Sequence, residues 1–549
     1  MTRRTQWWLD RTAYQIYPRS FADANGDGVG DIPGIIGRLD HLADLGIGLI
    51  WLSPVYRSPM ADNGYDISDY QDIALEYGTL ADFDRLVAEA DRRDIGIIMD
   101  LVVNHSSDQH SWFMEAKRDR ASPYHDFYYW RDPAPDGGPP DDRKAYFGGP
   151  VWTFYPEVGR YVFNLFSPQQ PDLNWQNPAL RQAVYDMMRW WLDRGVRGFR
   201  MDVIDLIGKD IDRDLITEGP YLHGFLQEMH HEVLAGRDVV TVGESWNVTK
   251  ETALLYCGRD RRELDMVFQF QHIVAGWDTV HGKRRPHPLD LVAFKKVWTD
   301  WQEALEVDGW NSLFLNNHDL PRSVSRYGDA GRWRERSAKA LATATHLMRG
   351  TPFVFQGEEI GMTNAGFTEI THYRDIELIN MHREMLKQGL PEHQFLEGAG
   401  ITARDNARTP MQWDASPGSG FTTGDPWIAI NPNSAEINVA AQRDDPASVL
   451  AHYRHLIALR KQHEVIVQGR FVPWLEDHPQ IWAYAREWDN QRLSVLCNIS
   501  SEPAHAEVPP GLVSSGTCLM CTASSRRSVA PGPIVLEPWE AVVVLGELG

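Results

Sequence analysis

The chain has 549 residues, which is more than one ordinary domain holds and suits a large barrel with appended domains. Apolar residues make up 43%, enough for a large core. A formal net charge of −22 and the lack of any basic run argue against nucleic acid and anionic membranes as partners. No apolar run of about 18 residues is present, the first ten residues lack a signal-peptide pattern, and four cysteines form no disulfide framework. The sequence therefore predicts a cytoplasmic protein.

Short apolar strands alternate with amphipathic helices along most of the chain. The predicted strands are Ala13–Tyr17, Gly46–Leu52, Gly96–Val103, Gly198–Met201, Val239–Val242, Met266–Phe268, Ser312–Leu315 and Pro352–Phe355. The predicted helices include Ile35–Leu42, Leu80–Arg93, Pro178–Arg194, Tyr221–Leu234 and Trp333–Met348. This alternation predicts an α/β fold, a (β/α)₈ TIM barrel. A doubly wound open sheet is the competing topology, but no Gly-rich phosphate loop follows the first strand.

Two segments depart from the alternating pattern. Residues 105–172 show no strand–helix rhythm and are rich in aromatics, Pro and Gly, which predicts a small inserted domain after strand three rather than a structureless loop. After about Val465 the pattern changes to strands alone, which predicts a C-terminal antiparallel β-sandwich domain. The predicted boundaries are residues 1–104 and 173–465 for the barrel, 105–172 for the inserted domain and 466–549 for the sandwich.

Three acidic residues stand at the ends of predicted strands. Asp202 ends the segment Gly198–Asp202, Glu244 follows Val242 and Gly243, and Asp319 ends Asn316–Asp319. Active sites of such barrels lie at the C-terminal ends of the strands. Cleavage of a glycosidic bond needs a carboxylate on one face of the sugar and a proton donor on the other. The three acids therefore suit glycoside hydrolysis.

Several segments, in this order, resemble the α-amylase superfamily of retaining glycoside hydrolases. They are Asp100–His105, Gln170–Asn174, Gly198–Asp202 and Ala403–Trp413. The match is closest to the branch of the oligo-1,6-glucosidases and dextran glucosidases, and it spans nearly the whole chain. The resemblance implies a barrel with an insertion after strand three and a C-terminal β domain.

The resemblance implies a role for each acid. Asp202 would be the nucleophile, Glu244 the general acid and base, and Asp319 the residue that stabilises the charged transition state. Arg200 lies two residues before Asp202 on the same face of its strand, so we expect it to lower the pKa of Asp202 and keep it ionised. We expect partial burial near Trp246, together with the charge of the nucleophile, to raise the pKa of Glu244.

Eight residues would bind the substrate by the same resemblance: Asp62, Tyr65, His105, Gln170, Arg200, Val203, His318 and Arg404. Tyr65 would stack on the non-reducing glucose, and Gln170 would line the wall. Arg404 would pair with Asp62 and close the pocket, so cleavage should be exo. In the family, Val at the position of Val203 accompanies α-1,6 preference, whereas smaller residues or Thr accompany α-1,4 preference.

A separate motif follows the first strand, with oxygen-bearing residues at alternating positions and glycines between them. Its candidate ligands are Asp23, Asn25, Asp27, Val29 through its carbonyl, and Asp31. Such a set suits a hard cation, and related glucosidases use this loop for a structural calcium ion. Gly34 occupies the position where an EF-hand has Glu. The alternative is an Asx-rich turn without metal.

Together these features predict a retaining exo-α-glucosidase of isomalto-oligosaccharides, with transglycosylation as a further reaction. The alternatives are an α-1,4-glucosidase, a trehalose-6-phosphate hydrolase and a sucrose isomerase. For a phosphate-binding site, Lys295 and Lys296 are the candidate bases. A non-catalytic amylase-like scaffold is disfavoured because all three acids are present. The expected partner is a small oligosaccharide, and the expected state is a monomer or weak homo-oligomer.

Overall fold

The computed structural model describes residues 6–278, 282–283, 286–509, 516–523, 526 and 528–548. The first five residues and residue 549, which the predicted domain boundaries include, lie outside the described residues. Eight parallel strands form one sheet: β1 (Ala13–Ile16), β2 (Leu49–Leu52), β3 (Gly96–Leu101), β4 (Gly198–Met201), β5 (Val240–Glu244), β6 (Met266–Phe268), β7 (Ser312–Leu313) and β8 (Thr351–Phe355).

The sheet closes into the predicted barrel. Its strands lie in the order β6-β5-β4-β3-β2-β1-β8-β7, and each neighbouring pair is parallel. A parallel bridge between Val267 and Asn311 joins β6 to the start of β7 and closes the ring. Nearly every strand residue is buried, as expected for parallel strands covered on both faces. The predicted start of β2 at Gly46 is wrong, because Gly46 adopts a left-handed conformation with φ of 92° and ends the preceding helix.

Helices surround the barrel, and others lie in the segments added to it. The α-helices are Ile32–Gly37, Leu39–Leu45, Leu80–Asp91, Ser111–Ala116, Pro178–Asp193, Leu222–Met229, Ala253–Cys257, Gln271–Val274, Leu291–Ala304, Ser323–Tyr327, Arg334–His346, Ile376–Lys387, Glu392–Thr402, Val439–Gln442, Val449–Gln462 and Glu464–Gln468. Local sequence signals fix several helix starts. Thr79 and Asp82 form a reciprocal capping box at Leu80, and Asn177 caps the helix that Pro178 begins. The predicted single helix Ile35–Leu42 is wrong, because the chain breaks at Arg38 between two short helices.

The segment between β3 and β4 forms the predicted small inserted unit. It contains the helix Ser111–Ala116 and a three-stranded antiparallel sheet of Trp130–Arg131, Trp152–Tyr155 and Arg160–Phe163. Its aromatic side chains pack on one another: Phe113, for example, lies parallel to Trp130 with ring centroids 5.8 Å apart. These aromatic side chains therefore extend the core of the barrel into the insertion.

A second addition, which the sequence analysis did not anticipate, follows β8. The helices Ile376–Lys387 and Glu392–Thr402 pack together through apolar residues that include Leu378, Met381 and Phe395. The chain then returns to the barrel through Arg404. Both additions lie beside the C-terminal ends of the strands, where they frame the candidate site described below.

The C-terminal part is the predicted antiparallel sandwich. Its larger sheet contains Arg470–Trp474, Ile481–Trp488, Gln491–Asn498, Ala541–Glu547 and Thr517–Cys521, and its smaller sheet contains Ala504–Val508 and Gly532–Leu536. Alternate residues such as Ile481 and Ala483 face Ile534 and Leu536 in a shared apolar cluster. Among the residues that the structure describes, no helix is long and apolar enough to cross a membrane.

Candidate active site

The three predicted acids meet at one cavity at the C-terminal ends of the barrel strands. Asp202 directly follows β4, Glu244 is the last residue of β5, and Asp319 lies in the loop after β7. The cavity has a volume of about 630 Å³, and all three side chains line it. The barrel topology therefore brings together acids that are distant in sequence.

One guanidinium bridges the nucleophile candidate and the general-acid candidate. Arg200 Nη1 donates to Asp202 Oδ1 at 2.7 Å, and Nη2 donates to Glu244 Oε2 at 2.5 Å. Nη1 also donates to Asp100 Oδ1 at 2.7 Å. A single guanidinium that bonds both carboxyls keeps them close together, as the separation of about 5–5.5 Å in retaining glycosidases requires. Arg200 is fully buried and does not line the cavity.

The prediction that the pKa of Asp202 is lowered is wrong. Burial raises the pKa of Asp202 well above its ordinary value, and this effect outweighs the opposing charge of Arg200. The nearby carboxylates of Glu244 and Asp100 raise it further. The sequence shows Arg200 beside Asp202, but it does not show that three carboxyls share this one cation.

Two further donors hold Glu244 in place. Trp246 Nε1 donates to Glu244 Oε1 at 3.1 Å, and the backbone N–H of Val203 donates to Oε2 at 3.1 Å. Trp246 is itself stacked on Phe270, with ring centroids 3.9 Å apart. Val203 has φ of 35°, a left-handed conformation that a β-branched residue rarely adopts. Residues in such conformations cluster at functional sites, and here the unusual backbone turns an N–H toward the candidate general acid.

Asp319 lies among basic side chains. Arg404 Nη1 donates to its Oδ1 at 3.1 Å, Arg408 Nη2 donates to the same oxygen at 2.8 Å, and His318 Nε2 lies 3.1 Å from Oδ2. Burial alone would raise the pKa of Asp319, but these three neighbours outweigh it and hold the pKa well below its ordinary value. Asp319 is therefore a permanent carboxylate at neutral pH, which suits stabilisation of a positively charged sugar.

Five of the predicted substrate-binding residues line the cavity: Asp62, Tyr65, His105, Val203 and Arg404. Arg404 Nη2 lies 3.6 Å from Asp62 Oδ1, so the expected ion pair is present. The hydrogen bonds of Arg404, however, go to Asp375 and Asp319. Burial raises the pKa of Asp62 to about 7 despite Arg404.

The predicted position of Gln170 in the cavity wall is wrong. Gln170 is fully buried behind the wall, where its Nε2 lies 3.0 Å from Asp62 Oδ2 and 3.2 Å from His105 Nε2. His318 also lies behind the wall, with its ring stacked on Tyr65 at a centroid distance of 5.2 Å and its Nδ1 2.7 Å from Gln15 Nε2. Both residues therefore support side chains that line the cavity.

Several residues at the site were not predicted from the sequence. Arg408, within the segment Ala403–Trp413, holds Asp319, and its position in that segment was the available signal. Asp375 and Glu377 come from the helical addition after β8, and Lys283 Nζ lies 2.6 Å from Glu377 Oε1 at the cavity. No local pattern links residues so distant along the chain.

Asp375 should contribute to stability in a pH-dependent manner. Burial opposes its ionisation, but Arg404 outweighs burial and lowers the pKa of Asp375 to about 2. A lowered carboxyl pKa stabilises the fold above the unfolded pKa, and this stability is lost as the pH falls from about 4 to about 2. We expect Asp375→Asn to reduce the unfolding free energy at pH 7 by about 2 kcal/mol in urea titrations, because the shift is nearly two pKa units.

A matched control for this variant is Glu377→Gln. Glu377 Oε2 lies 3.6 Å from Arg404 Nε, farther than the hydrogen-bonded oxygens of Asp375. Glu377→Gln should therefore lower the unfolding free energy less than Asp375→Asn does. Equal urea midpoints for Asp375→Asn and the wild type would contradict the role given to Asp375.

In the candidate metal loop, carboxylate oxygens accept hydrogen bonds from backbone N–H groups of the loop and of the helix that follows it. Asp23 Oδ1 accepts from the N–H groups of Asn25 and Gly26 at 3.0 and 2.7 Å, and Asp31 Oδ1 caps the following helix by accepting from Gly34. Within the described ranges, no group of three or more His, Cys, Asp or Glu side chains is placed to hold a metal ion. The hydrogen bonds match the Asx-rich turn that the sequence left as the alternative, and calcium binding stays a prediction.

A closed parallel barrel with a guanidinium-bridged pair of carboxyls and a third ionised acid defines a glycoside hydrolase of the barrel type. Residues 15–469 match the family model described as alpha amylase, catalytic domain. The chain belongs to the α-amylase family.

Close relatives cover nearly the whole length of the chain. It is 50% identical to a palatinase of Erwinia rhapontici, over 99% of this chain and 100% of that protein. It is 49% identical to an oligo-1,6-glucosidase of Halalkalibacterium halodurans, over 99% of both chains. The crystal structure of a trehalose-6-phosphate hydrolase of Bacillus licheniformis superposes with a TM-score of 0.94 at 42% identity, over 98% of this chain and 100% of that one.

Proposed function

We propose that this enzyme is a retaining exo-α-glucosidase that hydrolyses α-1,6-glucosidic bonds at the non-reducing end of isomalto-oligosaccharides and also transfers the glucosyl group to a second sugar. The observation that carries the chemistry is the bridge that Arg200 makes between Asp202 and Glu244. The name of the oligo-1,6-glucosidase, at 49% identity over 99% of both chains, supports the linkage.

Each carboxyl has a distinct task in this reaction. Asp202 attacks the anomeric carbon while Glu244 protonates the departing oxygen, which leaves a covalent glucosyl-enzyme. Glu244 then takes a proton from water, which attacks the same carbon from the face that the leaving sugar vacated, breaks its bond to Asp202 and releases glucose with the Asp202 carboxylate restored. Asp319, held ionised by its cations, stabilises the positive charge that develops in both transition states. Two inversions give net retention.

The groups around Asp62 support exo cleavage. Arg404 lies between Asp62 and Asp319 and bonds Asp375, so this side of the cavity is held by ion pairs. Tyr65, nearly buried, bonds Asp100 through its hydroxyl and lies flat against His318. A sugar that occupies this end would meet these ion-paired side chains, which suits the binding of a chain end.

The excess of acidic over basic side chains in the cavity disfavours a phosphorylated substrate. Six carboxyl groups line it (Asp62, Asp202, Asp205, Glu244, Asp319 and Glu377), against three basic side chains other than histidine (Lys283, Arg326 and Arg404). Lys295 instead donates to the backbone carbonyls of Leu475, His478 and Ile481 of the C-terminal domain, and Lys296 pairs with Asp300. The two lysines that the sequence offered for phosphate therefore do not line the cavity.

Val203 bears on the remaining alternatives. It follows the nucleophile, lines the cavity and is constrained by its left-handed backbone. A β-branched side chain at that point narrows the space beside the leaving sugar. The family pattern of Val with α-1,6 preference favours isomalto-oligosaccharides over maltose.

The proposal is tested by digestion of isomaltotriose, followed by NMR of the products. We expect glucose and isomaltose as the first products, with the α anomer of glucose formed before mutarotation. First-formed β-glucose would contradict retention. An enzyme that releases no glucose from isomaltotriose and cleaves only internal bonds of longer chains would contradict exo action.

From the sequence of the loop after β1 we further propose a structural calcium ion held by Asp23, Asn25, Asp27, Val29 and Asp31. Carboxylate oxygens keep lone pairs beyond those that accept backbone N–H groups. We expect the melting temperature to rise with calcium concentration and to fall in EDTA, because a ligand that binds only the folded state stabilises it. The response should weaken in Asp27→Asn. A melting temperature independent of both additions would leave the loop as a metal-free turn.

We propose a cytoplasmic location and a monomeric or weakly self-associating state. All four cysteines lie in the described ranges, and none forms a disulfide. Reduced thiols are the usual state in the cytoplasm. Sedimentation of the purified enzyme over a range of concentrations tests the oligomeric part.

A further inference from the structure

An additional carboxyl group lines the cavity near the segment that follows Glu244. Asp205 sits in the short 3₁₀ turn Ile204–Leu206, three residues after Asp202, and its side chain lines the cavity although the residue is only 1% exposed. The left-handed backbone of Val203 begins this turn and directs it back toward β5. Asp205 has no part in the reaction described above, so its burial beside the site needs an explanation.

The two carboxyl oxygens of Asp205 have different surroundings. Oδ2 accepts from Ser245 Oγ at 3.1 Å and from Asn247 Nδ2 at 2.9 Å. Oδ1 makes no hydrogen bond in the part of the chain that the structure describes, and Asp205 lines the cavity. Oδ1 is therefore the carboxyl oxygen that remains to accept a hydrogen bond from a molecule in the cavity. Burial raises the pKa of Asp205 to about 6, which leaves the group largely ionised at neutral pH.

The position of Asp205 identifies the sugar that it would contact. Its partners Ser245 and Asn247 follow Glu244, which protonates the oxygen of the leaving sugar. Trp246 and Asn247 line the cavity beside Glu244, whereas Asp62, Arg404 and Asp319 form an ion-paired group of their own. Asp205 therefore belongs to the wall that faces the leaving group.

We propose that Asp205 Oδ1 accepts a hydrogen bond from a hydroxyl of the leaving sugar and so selects neutral, hydroxyl-rich leaving groups. This inference rests on the glucosidase function proposed above. An ionised acceptor in a buried site favours a leaving group that donates a hydroxyl. An apolar leaving group would desolvate the carboxylate without giving it a hydrogen bond, and the carboxylate would repel a phosphate.

The test compares three substrates with the wild type, Asp205→Asn and Ser245→Ala. Isomaltose has a leaving sugar. Methyl α-glucoside has none, but its methanol still leaves with help from the general acid. α-Glucosyl fluoride has no leaving sugar and needs no general acid, because fluoride leaves without protonation. Asp205→Asn keeps an oxygen for Ser245 and Asn247 and puts an amide N–H₂ in place of Oδ1. We expect its kcat/KM for isomaltose to fall about tenfold or more, with a much smaller change for methyl α-glucoside and the fluoride.

Ser245→Ala is the matched control, since it removes one bond to Oδ2 and leaves Oδ1 in place. It should lose less activity on isomaltose than Asp205→Asn. Equal losses on isomaltose and methyl α-glucoside, or equal losses in the two variants, would overturn the proposal and make Asp205 a positioning residue for the loop of Glu244. If the wild type cleaves maltose rather than isomaltose, the proposed linkage fails, and the same comparison made with maltose still decides the role of Asp205.

Discussion

Asp202→Ala is expected to reduce kcat for isomaltose by about 10⁴-fold or more, because the reaction loses its nucleophile. The variant should retain the fold, since Arg200 keeps Asp100 and Glu244 as partners. Initial rates of glucose release, with circular dichroism as the check on folding, measure the effect. Unchanged glucose release would remove Asp202 as the nucleophile.

A chemical rescue makes this prediction specific to the nucleophile. Removal of the Asp202 carboxyl opens space on the face of the sugar opposite the leaving group, where a small anion such as azide can attack. With α-glucosyl fluoride and azide, Asp202→Ala should form β-glucosyl azide, the inverted product. The conservative variant Asp100→Asn changes another carboxyl on Arg200 Nη1 that does not line the cavity, so it should form none.

The second large effect is expected at Glu244. Glu244→Gln keeps the shape of the side chain but removes the proton donor, so kcat for isomaltose should fall about 10²- to 10⁴-fold. Formation of the glucosyl-enzyme from α-glucosyl fluoride should be far less affected, because fluoride leaves without protonation. Rapid-mixing kinetics would detect this as a burst of fluoride followed by slow turnover.

Equal losses on isomaltose and the fluoride would contradict the assignment of Glu244 as general acid. Trp246→Phe offers a milder comparison, since it removes the N–H that donates to Glu244 Oε1 while keeping a ring to stack on Phe270. Trp246→Phe should lower the rate of isomaltose hydrolysis less than Glu244→Gln does. Its effect on the rate with α-glucosyl fluoride should be smaller than its effect on the rate with isomaltose.

The parts of the fold that the sequence predicted well depend on local patterns. Parallel barrel strands are buried on both faces, so runs such as Leu49–Leu52 read as continuous apolar segments. Once the strands are assigned, their C-terminal ends alone predict that Asp202 and Glu244 lie at one edge of the barrel. The helical addition after β8 was missed because Ile376–Lys387 and Glu392–Thr402 bury a modest apolar face against each other.

The electrostatics of the site could not be predicted, because they depend on contacts between distant segments. Arg200 has to satisfy Asp100, Asp202 and Glu244 from three strands, and this sharing, together with burial, reverses the expected pKa shift of Asp202. The placement of Gln170 behind Asp62 is a second case. The motif predicts that Gln170 is at the site, whereas only packing decides which residue lies in front.

The measurement that tests the central claim most directly is the initial rate of glucose release from isomaltose, maltose and trehalose 6-phosphate, compared side by side per mole of enzyme. Each 1.4 kcal/mol of difference in transition-state stabilisation changes the rate ratio about tenfold. We expect isomaltose to be cleaved fastest, with trehalose 6-phosphate slowest because the cavity is rich in carboxylates. A preference for maltose would keep the fold and the three acids but contradict the α-1,6 assignment and the role given to Val203.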